Sequence, residues 1–185
     1  IGILLCCDYG LNMIYDFNKK LDYTDLLNLE DLNDIFNSNG LFTNNKIGDL
    51  IDTIIYKKFN IKNVTLKQFY DLTKIHYICK VYNLSQKSEE YFCYETEPDM
   101  KLSTLVQMTT CIPFFFKPIK YKNKYYVDGG ILSMMPYLKK YKNHLGIHIH
   151  GTQKENVDEC NFFELITYYC DCLSKKSKIN IVGKR

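Results

Sequence analysis

Residues 1–5 form an unbroken apolar run that continues through Cys6 and Cys7 into Asp8, Tyr9 and Gly10, the pattern of a buried helix closed by a glycine. From residue 11 to 55 apolar side chains return at mixed intervals of three and four, Leu26, Leu27, Leu29, Leu32, Ile35 and Phe36 among them, interrupted by Asn37, Ser38, Asn39 and Gly40. That spacing predicts short helices around a loop, with residues 45–55 as an amphipathic helix. Thr65, followed by Leu66, Lys67 and Gln68, has the side chain to cap another helix. At residue 75 the texture changes. Residues 75–82 and 90–94 are rich in β-branched and aromatic side chains, and the polar segment 83–88 between them reads as a turn, so two neighbouring strands are expected.

Residues 102–111 return to helical spacing and stop before Ile112 and Pro113, where proline disfavours continuation. Residues 120–127 alternate as a short strand with Asn123 at a turn, residues 144–150 read as a further strand, and residues 162–173 read as a helix with an aromatic face. Helices interleaved with short apolar strands predict a layered α/β domain.

Composition narrows this picture. With 185 residues, 46% of them hydrophobic and 24% charged, the chain can bury a real core and falls within the size of one domain. Its ends, Ile1 and Arg185, read as cuts, so a fragment is expected. Net charge is +3 and Arg185 is the single arginine, with Lys and Asp/Glu interspersed, a pattern that excludes a nucleic-acid reader. Of the eight cysteines, Cys6 and Cys7 adjoin in an apolar run, and Cys79, Cys93 and Cys111 stand singly among hydrophobic residues as small core side chains. Cys160, Cys170 and Cys172 are closer together but lack a CxxC pair, so no structural zinc is expected. Reduced thiols point to an intracellular protein, cytoplasmic or peripheral to a membrane. No apolar stretch reaches the roughly 20 residues of a membrane span.

The chemistry-bearing segment is Asp128-Gly129-Gly130. Alone it is an ordinary turn. It is preceded, however, by the strand Lys124-Tyr125-Tyr126-Val127 and by Thr109, Thr110, Cys111, Ile112, Pro113, three phenylalanines and Pro118, and it is followed by Ile131, Leu132 and Pro136. In this order the stretch 98–136 resembles the C-terminal catalytic half of the patatin-like phospholipases. The similarity covers most of residues 1–138 and fades beyond Tyr137; residues 1–10 are similar to the helix that follows that family's nucleophile elbow.

The resemblance implies a three-layer α/β domain with a central, mostly parallel sheet flanked by helices and its N-terminal portion missing, residues 1–138 carrying the motif and 139–185 completing the same domain. It implies a lipid acyl hydrolase in which a serine on a Gly-x-Ser-x-Gly elbow attacks an ester carbonyl while Asp128 acts directly as proton acceptor, with no histidine between them. Gly129 and Gly130 would let the backbone bend beside the nucleophile. The serine would lie just before Ile1, with the glycine-rich oxyanion loop further upstream. Membrane glycerolipids or other lipid esters are the implied substrates, reached by peripheral membrane contact, with no metal or organic cofactor. The alternative is a catalytically inactive member that binds lipid or a partner through the same fold.

No internal serine is expected to replace the missing one. Ser103 reads as a helix cap, Ser133 follows Asp128 too closely, and Ser38, Ser85 and Ser88 sit in polar turns. Two residues depart from the family pattern: Thr109 stands for a serine, a mild change, and Met134 for an asparagine, which removes hydrogen bonds near the Asp128 loop. His148 and His150, spaced to share a strand face, could belong to a metal site but are better read as a half-exposed face, and His76 and His144 stand alone. Phe114, Phe115 and Phe116 cannot all face one core. Acyl-pocket or lipid contact and ordinary packing both stay open for them. Lys175, Lys176 and Lys178 read as a solvated helix end.

Overall fold

The computed structural model describes residues 1–26, 28, 29 and 40–131. The predicted strand 144–150 and helix 162–173, with His144, His148, His150, Ser38, Ser133, Met134, Cys160, Cys170, Cys172 and the lysines at 175–178, lie outside the described residues. The chain divides into two compact units, Ile1–Asp128 and Gly129–Arg185. In the second, Gly129–Ile131 forms one 3-10 turn with Gly129 buried.

In the first unit the elements run α1 (Gly2–Cys6), α2 (Leu11–Lys20), a 3-10 turn (Tyr23–Leu26), β1 (Asn28–Leu29), β2 (Phe42–Thr43), α3 (Asn45–Phe59), α4 (Leu66–Thr73), β3 (Cys79–Asn83), β4 (Ser88–Phe92), α5 (Leu102–Thr109), β5 (Ile119–Tyr121) and β6 (Lys124–Asp128). Thr65 caps α4 as its side chain predicts. Its hydroxyl accepts the Gln68 N–H at 3.2 Å while the Gln68 side chain accepts the Thr65 N–H at 3.0 Å, a reciprocal capping box. Helix α3 extends to Phe59 and closes on Asn60 in the left-handed region at φ 57°.

Several local expectations are corrected. Helix α1 ends at Cys7, with Asp8 taking the left-handed φ of 57°, and Gly10 is instead the extended residue that starts α2. Ser103 does not cap α5: Lys101 holds that position, and Ser103 is buried inside the helix. Ser88 opens β4 rather than lying in the turn. The stretch around Leu26–Leu29, read as helical, contains the 3-10 turn and β1, which pairs with β2.

The principal sheet has the order β4-β3-β6-β5. All three of its ladders are antiparallel: Cys79↔Phe92 to Asn83↔Ser88, Val81↔Asp128 to Asn83↔Tyr126, and Ile119↔Tyr126 to Tyr121↔Lys124. The mixed α/β class holds, but the expected parallel pairing is not found among the described strands of this sheet; a single parallel bridge joins Phe42 to Phe116. For β3–β4 and β5–β6 the reason is connection length. Parallel neighbours need a crossover of a dozen or more residues, whereas residues 84–87 join β3 to β4 and Lys122 and Asn123 join β5 to β6. Both residues of the latter turn have positive φ, 44° and 61°, the twist that suits a two-residue hairpin.

Helix α5 packs on β3 and β6 and is backed by α3. Leu102, Leu105, Val106 and Met108 of α5 meet Val81, Phe92 and Tyr126 of the sheet and Ile55, Leu66 and Phe69 of the flanking helices in one core. A smaller cluster of Leu4, Ile14 and Ile54 binds α1 and α2 to α3.

Gly40 meets the loop that leads to β5. A Cβ placed on it would lie 2.5 Å from both the Lys117 nitrogen and the Phe116 carbonyl carbon, beside the mutual bonds of Phe42 with Phe115 and Lys117, each 2.9 Å. Gly40→Ala should therefore cost about 1–3 kcal/mol through displaced backbone, against about 1 kcal/mol for Thr65→Ala through the lost cap. Urea denaturation of the two variants checks that ranking.

Candidate active site

The fold delivers Asp128 to the end of a strand that runs into the core. Tyr126 and Val127 are sealed in the core, and the next residue, Asp128, is half-buried. Opposite it in β3 stands Val81, and on the other side its N–H donates to the Cys111 carbonyl at 2.9 Å. That carbonyl is available because α5 stops at Thr109 and the chain turns away through Ile112 and Pro113, where Ile112 accepts the N–H groups of Phe115 at 3.2 Å and Phe116 at 2.9 Å. The Cys111 thiol closes the same loop by donating to the Lys117 carbonyl at 3.2 Å. The sequence segment from Thr109 to Asp128 thus folds back so that both of its ends meet.

The three phenylalanines separate at this turn. Phe115 and Phe116 are buried with their rings 4.7 Å apart, and Phe115 also lies 4.5 Å from Phe42. Phe114 is 74% exposed and held in the left-handed region at φ 67°. Such a conformation is costly for a large non-glycine residue and persists only where the neighbouring structure imposes it. Here the turn closed by Ile112 imposes it.

Around Asp128 the electrostatics are those of a poorly solvated corner. Burial pushes the Cys111 thiol up to about 12, with the Asp128 carboxylate the next contribution. Burial likewise pushes Cys79 up to about 12; a hydrogen bond from Tyr77 opposes it, and Cys6 and Asp128 add to the rise. Tyr77 is raised well above its ordinary value by burial and by the neighbouring thiols. Asp128 thus has two protonated thiols near it, Cys79 from β3 and Cys111 from just past the end of α5. The sequence marks these cysteines as core residues but hides the approach of Cys79 and Cys111 to Asp128, because the two are far apart in the chain.

Two of the described serines hold structural places. Ser85 accepts the Tyr125 N–H at 3.1 Å, and Ser103 lies within α5. The hydroxyls of Thr109 and Thr110 donate back to the Val106 carbonyl at 3.2 and 2.9 Å. His76, alone in the sequence, has its ring 4.6 Å from that of Tyr94.

Away from Asp128, a groove of about 210 Å³ opens between α1, α2 and α3, lined by Leu4, Met13, Ile14, Phe17 and Ile54 with Lys57 among them. Beside it Leu11, Met13 and Tyr15 of α2 are exposed. Among the described residues no helix is long and apolar enough to cross a membrane.

The model of the patatin-like phospholipases matches residues 1–139. A curated relative, the "Probable lipid hydrolase 463L" of Invertebrate iridescent virus 6, is 35% identical over 75 residues, which takes in 40% of this chain and 26% of that protein. The chain thus spans about a quarter of the length of the curated relative it matches.

The thiols beside Asp128 set the behaviour of the fold in alkali. Below their ordinary value of 9.0, Cys79 and Cys111 are protonated whether folded or unfolded; between 9.0 and about 12 the unfolded chain releases protons that the folded chain retains. Stability should therefore be complete below pH 9 and decline as pH rises toward 12. Thermal melts across that range check the sign, and at neutral pH Cys111 should be alkylated only after denaturation.

Proposed function

This chain belongs to the patatin-like phospholipase family, and on that premise we propose that it hydrolyses an acyl ester of a membrane glycerolipid through a serine–aspartate dyad in which Asp128 is the proton acceptor. The observation that carries this reading is the placement of Asp128: the last residue of a strand that runs into the core, its N–H held by the Cys111 carbonyl and its backbone paired with Val81. Helix α1 supports it. Cys6 interacts with Tyr77 and Cys79, and at 1.5 Å per residue Ile1 begins only about 8 Å along the axis from that contact. A serine on an elbow preceding α1 would start close to the strand pair that holds Asp128.

The proposed steps balance as an acyl transfer. The serine oxygen attacks the ester carbonyl carbon and its proton passes to Asp128; the tetrahedral oxyanion collapses, the ester C–O bond breaks, and the departing alcohol takes that proton. Water then attacks the acyl-enzyme, gives a proton to Asp128, and the serine oxygen recovers it as the fatty acid leaves. The route calls for no metal or organic cofactor. A corner of low polarity suits it, because charge developing on the substrate is then answered by fixed donors rather than by mobile water.

A lipid surface as the source of substrate is supported by the exposed Phe114, on the turn that ends at the Asp128 anchor, and by the exposed apolar side chains of α2. In the groove the lining is mostly apolar with Thr53 and one lysine, a composition that suits acyl methylenes below an anionic headgroup. At about 210 Å³ it is smaller than the roughly 300–1,000 Å³ of ordinary ligand pockets and would take part of one chain.

Asp128→Asn in the full-length protein should abolish phospholipid hydrolysis while leaving the circular dichroism spectrum unchanged; turnover that survives the change refutes the assigned role. Phe114→Asp should lower activity on phospholipid vesicles by on the order of tenfold, the equivalent of about 1.5 kcal/mol of lost phenyl burial, and leave a soluble short-chain ester unaffected. Equal losses on both substrates would place Phe114 in the fold and not at the lipid.

A further inference from the structure

The β3–β4 hairpin brings together three potential metal ligands that the proposed hydrolysis does not use. His76 precedes β3, Cys93 directly follows β4, and Glu95 lies on the turn beyond. One ligand atom from each, imidazole nitrogen, thiol sulfur and carboxylate oxygen, lies within 4.8 Å of the other two. We propose that His76, Cys93 and Glu95 form a binding site for a borderline-soft divalent cation, zinc above all, which ties together the open ends of the β3–β4 hairpin.

Donor chemistry selects the metal class. A thiolate with an imidazole disfavours magnesium and calcium, which take oxygen ligands, and suits zinc, with a carboxylate as third ligand and water completing a tetrahedron. Zinc bonds of about 2.0–2.3 Å place tetrahedral ligands roughly 3.3–3.7 Å apart. The observed spread is therefore somewhat open, and Glu95, the exposed member, can move to close it. The Cys93 thiol gives its proton to solvent on binding, so thiolate and carboxylate together balance the two positive charges of the ion.

The two inner ligands are already oriented. His76 rests on Tyr94 with ring centroids 4.6 Å apart, and Tyr94 is itself stacked on Tyr70 at 3.9 Å. The Cys93 N–H donates to the Thr96 hydroxyl at 3.0 Å, and that hydroxyl reaches the Tyr91 carbonyl at 3.2 Å, which fixes the turn carrying the thiol. Lys67, the cation over the Tyr70 and Tyr94 rings, is paired with Asp71 at 2.8 Å. Cys93 is 4% exposed, His76 half-buried and Glu95 exposed, so the site is lined inside and open to solvent on one side, where an ion can enter.

The consequence lies in the sheet. A cation bridging His76 and Cys93 would clamp β3 to β4, and β3 is the strand whose Val81 faces Asp128. The sequence conceals this arrangement because His76 stands alone in the chain and Cys93 reads as a small core residue.

The test uses metal-free, full-length protein titrated with zinc by calorimetry and with cobalt by absorption. Saturable zinc binding that Cys93→Ser and His76→Gln each weaken by at least about tenfold, with a thiolate-to-cobalt charge-transfer band lost in Cys93→Ser, supports the site. Zinc should also raise the melting temperature of the wild-type protein and not of His76→Gln. An absence of saturable binding overturns the proposal, as does undiminished affinity in both variants, which would assign the metal to other thiols. Should Cys93→Ser fail to fold, His76→Gln and Glu95→Gln decide the matter. Asp128→Asn should bind zinc as the wild type does, so the outcome stands apart from that of the hydrolase reading.

Discussion

One backbone hydrogen bond, from the Asp128 N–H to the Cys111 carbonyl, joins the end of strand β6 to the chain just past the end of helix α5. By itself such a bond contributes only about 0.5–1.5 kcal/mol. Its importance is geometric, because it requires α5 to stop near Thr109, the Ile112-Pro113 turn to reverse the chain, and β6 to run into the core as far as Val127. The Cys111 thiol on the Lys117 carbonyl, the tucking of Phe115 against Phe42 and the close approach of Gly40 all serve to keep that loop shut. Loosening any of them shifts the backbone on which Asp128 is mounted.

The rest of the described fold is arranged around the same corner. Helix α5 lies on β3 and β6 and is backed by α3, so the strand carrying Asp128 is covered by buried Leu105 and Met108 rather than by water. Exclusion of water explains why the neighbouring thiols hold their protons: a buried thiolate loses its hydration, and the carboxylate beside it adds repulsion. The same poor solvation strengthens any fixed dipole directed at this corner. Packing and chemistry are coupled here through the local dielectric.

A second feature of the sheet is how its strands are held at their ends. Residues 84–87 close one end of the β3–β4 hairpin, where the buried Asn83 side chain accepts the Gln86 N–H at 3.0 Å and donates to Glu90 at 2.6 Å. At the other end His76, Cys93 and Glu95 gather beside stacked tyrosines. The hairpin next to Asp128 thus has a polar clasp at its turn and three clustered potential ligands at its mouth.

What the sequence determined by itself was whatever depends on near neighbours. Thr65 and Gln68 form their capping box because they stand one helical turn apart, Asn123 marks a turn because asparagine tolerates positive φ, and the ordered run from Thr109 through Asp128 pointed to its family because the motif is contiguous. The separation of Phe114 from Phe115 and Phe116, the antiparallel pairing of β3 with β6, the burial of Ser103 inside α5, the approach of Cys79 and Cys111 to Asp128 and that of His76 to Cys93 were decided only by tertiary structure. Periodicity reports which face of an element is apolar, but not which distant element covers it. That choice rests on closing long loops against core packing, and no local pattern encodes it.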